Sequence, residues 1–203
     1  MTVTPRKHAR QDRSRSMIDA LLEATARIVS QTGLDRATTN RIADVAGVSI
    51  GSLYQYFPGK EALLAALIER EAQRDLAAMR VVMAQCAQLP LPQAIGRSVV
   101  ELVGRHARDP ALYRWMLTYV PALGQHPKVR AVAAEGRALL RDALVARRHE
   151  LAPGVEPAMA AMILGSAIEA AIHTAVFERP ECLRDGALAA ELERLCTRYL
   201  VAP

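Results

Sequence analysis

The stretch that most constrains this chain is residues 38–60, TTNRIADVAGVSIGSLYQYFPGK. Its pattern predicts two short helices joined by a tight turn. Thr38 or Thr39 can cap the first, because a hydroxyl oxygen accepts one of the orphan backbone N–H groups at a helix start. Ile42, Ala43, Val45 and Ala46 then give that helix an apolar face at 3.6-residue spacing. Gly47 follows, where left-handed backbone stops a helix at little steric cost. Val48 is the single apolar residue of the turn and plugs the angle between the helices. Ser49 can cap the second helix, Ile50 to Tyr56, with Leu53 and Phe57 turned to the core. Pro58-Gly59 ends it, and Lys60-Glu61 opens the next helix.

This is the layout of a DNA-reading helix-turn-helix, whose second helix enters the major groove. The outward residues suit that task. Ser49, Gly51 and Ser52 are small enough to let the helix sit deep, so Ser49, Ile50, Gly51 and Ser52 are expected near base edges, helped by Asn40 and Arg41. Tyr54 and Tyr56 carry hydroxyls on rigid rings. With Thr39 and Lys60 they are expected to hold phosphates, Lys60 close to a helix start where backbone N–H groups also attract anions. The same pattern also fits an ordinary αα-hairpin whose tyrosines pack on a partner.

Further residues narrow the choice. The run Thr39, Ile42, Ala43, Ala46, Gly47, Val48, Ser49, Gly51, Leu53, Tyr54, Tyr56, Phe57, Lys60, Glu61, Leu63 and Leu64 resembles the TetR family signature of bacterial one-component regulators. The resemblance covers about residues 14–68. Gly59 departs from it, standing where many members carry a polar cap residue. The resemblance implies a transcriptional regulator, with repression as the usual sign.

Charge supports a nucleic-acid surface in the same region. Residues 1–60 hold nine Lys/Arg against five Asp/Glu, whereas residues 61–203 hold seventeen against sixteen. Arg6, Lys7, Arg10, Arg13 and Arg15 gather at the extreme N-terminus, where residues 1 to about 12 are expected to form a mobile basic arm able to reach phosphates or a minor groove. Ala and Leu dominate, aromatic residues make up only 4%, and strand alternation is absent. An all-α protein of about nine helices follows. Cys86, Cys182 and Cys196 lie far apart without a CxxC pair, which fits small buried side chains in a reducing, cytoplasmic setting. The most apolar stretch, Ala158 to Phe177, contains Glu169 and His173. A mid-span Glu is costly in lipid, so a helix buried inside protein is expected there and no membrane partner.

Helix 1 is expected from about Ser14 to Thr32, with Met17, Leu21, Ala24 and Ile28 as one stripe. Helix 4 begins near Lys60 and is too long for a small reading head. The boundary is placed inside it, giving residues 1–70 as a three-helix DNA-binding domain and 71–203 as a helical ligand-binding and dimerisation domain. Later helices run from about Leu91 to Arg108, from Asp109-Pro110, from Lys128 to Glu150 with Arg147 and Arg148 at its C-terminus, from Glu156 to Glu178, and from Asp185 to Leu200. In the last two, Met162, Ser166 and Ala170, with the stripe Leu188, Leu192, Leu195 and Tyr199, are expected to form a four-helix bundle with a second copy.

No HExxH, GxSxG, Gly-rich phosphate loop or metal-ligand cluster is present, so no catalytic residue, metal or cofactor is expected. A pocket for a small apolar or amphipathic organic ligand is expected in the second domain, lined by Tyr113, Trp115, Met116 and Tyr119 and by Glu169 and His173, one turn apart on one helix face. The expectation is then a homodimer on double-stranded DNA. Two-fold symmetry would set two reading helices in successive major grooves, roughly 34 Å apart, on a palindromic operator. An inducer would shift helix 4, spread the heads and weaken binding. A sequence-insensitive architectural protein without a ligand, or a helical enzyme or carrier, are the alternatives.

Overall fold

Helix α1 runs from Arg6 to Thr32, eight residues earlier than the sequence predicts. A run of like charges at a helix N-terminus opposes the macrodipole, which favours an arm. Yet Arg, Lys, Ala and Gln are strong helix formers, and no Gly or Pro interrupts residues 6–32, so propensity prevails. The computed structural model describes the backbone of residues 6–123 and 127–201, and the side chains of residues 12–119 and 130–201. The expected contacts of Arg6, Lys7 and Arg10 therefore lie outside the described residues. Among the described residues the secondary structure is all α- and 3-10 helix.

The chain divides into two compact units, residues 1–70 and 71–203. In the first, α1 is followed by a 3-10 turn at Leu34–Arg36, α2 (Thr39–Ala46), α3 (Ile50–Tyr56) and the start of α4 (Lys60–Cys86). The α1 stripe buries Leu21, Ala24 and Ile28, and α1 packs on α2. Ile42, Leu53, Leu63 and Leu67 complete that core, each fully buried. Thr25 is buried with them and donates its hydroxyl to the Leu21 carbonyl at 2.7 Å, so its polar atom is satisfied inside the helix.

The second unit holds the rest of α4, then α5 (Leu91–Arg108), α6 (Pro110–Leu123), α7 (Pro127–Ala146), α8 (Pro157–Glu178) and α9 (Ala187–Leu200), with 3-10 turns at Arg148–Glu150 and Pro180–Leu183. Helix α8 packs on α7, and α5 packs on α9. The α5–α9 contact is close at Gly96, where a Cβ would stand 2.7 Å from Glu193 Oε1. The core joins Leu91, Ile95, Val99 and Val103 of α5 to Leu164, Ile172 and Val176 of α8 and to Leu192, Cys196 and Leu200 of α9. Burial pushes the Cys196 thiol up to about 11, so it stays a neutral apolar filler.

Three sequence expectations change here. Arg147 does not close the α7 helix. It follows α7 and donates to the Cys86 and Leu89 carbonyls and to the Glu150 carboxylate, which in turn accepts the Leu91 N–H at 2.8 Å. Helix α8 is not buried all round. Pro157, Ala160, Ala161, Leu164, Ile172, Ala175 and Val176 are buried, while Met159, Met162, Ile163 and Phe177 on the other side are exposed. The α9 stripe also splits: Leu192 is buried in the unit's own core and Leu188 packs against that core, whereas Leu195 and Tyr199 face out. A four-three-four spacing drifts around a 3.6-residue helix, so one apolar stripe can serve two faces.

Candidate functional site

In the first unit, each cap falls where the residue chemistry puts it. The Thr38 hydroxyl accepts the Arg41 N–H at 3.3 Å, and Gly47 closes α2 in left-handed backbone at φ 69°. Ser49 caps α3, its hydroxyl accepting the Ser52 N–H at 3.0 Å and lying 2.8 Å from the Ser52 hydroxyl. Both hydroxyls thus hold the helix start, and each still has hydrogen-bonding capacity for a base edge. Leu53 and Phe57 are buried beneath.

The outward face gathers most of the expected residues. Asn40, Arg41, Ser49, Ile50, Gly51 and Tyr54 are exposed, and Thr39, Ser52 and Tyr56 are half-buried. Thr39 and Tyr54 stand together, their hydroxyl oxygens 3.3 Å apart across the α2–α3 angle. Lys60 is turned inward: its ammonium donates to the Leu34 carbonyl at 2.9 Å. It keeps two further donors for a phosphate. Gln55 is also exposed, one turn after Gly51. No motif marks it, but its amide shares the exposed surface of α3 with Gly51 and is of a type that pairs with a base edge.

The second unit contains a cavity of about 340 Å³ between α4, α5, α7 and α8. Its wall is aliphatic: Leu76, Met79, Val82 and Met83 from α4, Val99 and Leu102 from α5, Leu140 from α7, Ile168 and Ile172 from α8. Glu169 and His173, one turn apart on α8, line it. Burial holds the His173 imidazole below its ordinary range, against the pull of the Glu169 carboxylate and with help from His106.

The aromatic cluster does not line this cavity. Trp115 and Met116 are buried away from it, because their side of α6 faces the core. Tyr119 stacks on Trp115 with ring centroids 5.5 Å apart. Tyr113 stands behind the wall, donating its hydroxyl to Asp75 at 2.9 Å and packing its ring on His106 at 4.3 Å. Burial and the Asp75 carboxylate push the Tyr113 phenol well above its usual range. The wall gains instead a group that no motif announced. Asp75 accepts from Arg105 through both Nε, at 3.0 Å, and Nη2, and both residues line the cavity with His106. Its signal is a charge inside the apolar face of α4 matched by one on α5, visible only once the two helices are paired.

Comparison with known proteins gives a consistent identification. The model of bacterial regulatory proteins of the tetR family matches residues 21–67. The model of the tetracyclin repressor-like C-terminal domain matches residues 90–200, more than half of the chain. The nucleoid occlusion factor SlmA of Actinobacillus pleuropneumoniae is 39% identical over 72 residues, covering 36% of this chain and 34% of that protein. An uncharacterized HTH-type transcriptional regulator of Mycobacterium tuberculosis is 34% identical over 107 residues, 52% of each. The chain thus spans between a third and about half the length of these curated relatives. Among solved structures, SmeT, the repressor of the Stenotrophomonas maltophilia multidrug efflux pump SmeDEF, superposes with a TM-score of 0.71 at 20% identity, over 91% of this chain and 90% of that one. The fold is that of regulators rather than enzymes. Caps, helix order and both family models lead to one conclusion: the chain belongs to the tetR family of bacterial regulatory proteins, helix-turn-helix transcription regulators.

Proposed function

We propose that the protein is a ligand-responsive repressor that binds a palindromic operator as a homodimer and is released by a small organic inducer. The observation that carries this reading is the pairing, in one chain, of an exposed small-residue helix capped for groove entry with a largely aliphatic cavity. A sequence-insensitive architectural protein has no use for that cavity. Helix α4 supplies Leu63, Leu64 and Leu67 to the core of the first unit and Leu76 and Met79 to the cavity wall of the second. A ligand that favours one position of α4 by a few kcal/mol would change the spacing of two reading helices. Repression is supported by the family and by the similar fold of SmeT.

A homodimer is supported by the exposed apolar residues of α8 and α9, Met159, Met162, Ile163, Phe177, Leu195 and Tyr199, with Ser166 and Ala170 between them on α8. Exposed large apolar side chains gathered on one face are what an interface with another chain buries. The test is to recover fragments of genomic DNA bound by the purified protein and sequence them. A shared palindrome is expected. Flat, sequence-independent recovery would sink the reading.

A further inference from the structure

Besides its aliphatic wall, the cavity of the second unit carries a set of charged and polar groups of both signs. Among the described residues no Phe, Tyr or Trp lines it, and the aromatic rings on its wall are the two small imidazoles of His106 and His173. Met79 and Met83 are flexible and fill around irregular aliphatic shapes. Of the charged groups, the carboxylates Asp75, Glu101 and Glu169 outnumber the guanidiniums Arg105 and Arg137. Arg105 spends Nε and Nη2 on Asp75. Among the described residues Asp75 Oδ2 accepts only the Tyr113 hydroxyl, at 3.0 Å, which leaves it a lone pair for a further donor. The His106 Nδ1 lies 2.9 Å from the Leu102 carbonyl; in the neutral ring it donates there and leaves Nε2 as an acceptor. Glu169 makes no hydrogen bond or ion pair among the described residues. A negative head group would add a further anion beside the carboxylates of this wall, where like charges repel.

We infer that the cavity takes an aliphatic or alicyclic molecule whose polar head donates hydrogen bonds, a hydroxyl or an amine, rather than a carboxylate or an aromatic. This rests on the reading of the cavity as the inducer site, and it deepens that reading by naming the ligand's chemical class. The wall contacts the aliphatic body through Leu76, Met79, Met83, Leu102 and Ile168, and the head meets Asp75, His106 or Glu169.

The experiment needs no DNA. The full-length protein is titrated by calorimetry at neutral pH and constant salt with decanol, decylamine, decanoate and naphthylmethanol, each below its aggregation limit. Decanol or decylamine should bind at least about tenfold tighter than decanoate and naphthylmethanol. Decylamine binding above decanol would place the head at a carboxylate, and Glu169→Gln or Asp75→Asn should then remove that excess. Decanoate or naphthylmethanol binding as tightly as the donors overturns the inference while leaving an inducer site in place. Failure of both donor probes to bind also overturns it. Release of operator DNA is read separately, so a protein that binds decanol without releasing DNA would fail as a ligand-responsive repressor and not on ligand class.

Discussion

At the scale of single residues, the reading face combines groups visible in the sequence with one whose partner is not. Lys60 is assigned to phosphate by motif, yet its ammonium is held on the Leu34 carbonyl, 26 residues away. The two roles are compatible because one donor is used and two remain. Lys60→Ala should therefore weaken binding to every DNA sequence alike and lower the slope of log affinity against log salt by about one. It should also lower the melting temperature slightly, since the Leu34 carbonyl loses one of its two donors and keeps only the Ala37 N–H. Titrations at several salt concentrations check this; lost sequence preference at an unchanged slope would remove Lys60 from the phosphate contacts. His173 gives a second residue-scale expectation. Its pKa in the folded chain lies below the ordinary 6.5, chiefly through burial, with Glu169 of its own helix opposing and His106 of α5 adding to the shift. The unfolded chain then takes up its proton first. The fold should lose stability as pH falls through 6.5 towards the lower folded value, and lose nothing on this account above 6.5. Denaturant midpoints across that window should fall less in His173→Gln than in the parent.

At the scale of elements, the helix-turn-helix was legible because its stops and starts are local chemistry. Ser49 caps α3 through a bond three residues long, and Gly47 takes left-handed backbone within the turn it ends. The two glycines of the motif should separate fold from function. Gly47 has φ 69°, and nothing lies within 4 Å of where a Cβ would stand, so Gly47→Ala meets only backbone strain and should cost about 1–2 kcal/mol. Gly51 lies inside α3 with negative φ, its nearest neighbour Ser49 Oγ at 3.8 Å. Gly51→Ala should keep or slightly raise the melting temperature while weakening operator binding, because the added methyl faces outward. A melting curve and an operator titration on each variant decide the matter; equal effects of both on stability would refute the separation. What sequence could not reach are links between distant elements. The Arg147 clamp ties the end of α7 to Cys86 and Leu89 across 61 and 58 residues. The Asp75–Arg105 pair joins α4 to α5 across 30. No local rule names those partners. The same reason explains the aromatic cluster of α6: its spacing states that residues share a helix face, but only packing decides that Trp115 and Met116 turn to the core and Tyr113 to Asp75.

At the scale of the whole molecule, the exposed side of α8 and α9 is what an isolated chain leaves unexplained. Met162 is half exposed and Leu195 nearly so, while Leu192, one turn before Leu195 on the same helix, is buried in the core. Their substitutions should therefore act on different equilibria. Met162→Glu and Leu195→Glu place a charge where a second copy would bury it. Each should shift sedimentation from dimer to monomer and weaken operator binding, with little change in the fold as seen by circular dichroism. Leu192→Ala leaves a hole inside one chain and should cost about 2–5 kcal/mol of stability wherever the association equilibrium lies. Because association with a second copy would itself stabilise the folded protomer, the two effects must be separated by measuring melting at several protein concentrations. A melting temperature of Met162→Glu that no longer depends on concentration, beside a parent that does, would assign the α8 face to a second copy. A dimer that persists unchanged in both glutamate variants would move the interface off α8 and α9 altogether, and the operator would then have to be read by reading heads spaced by some other surface.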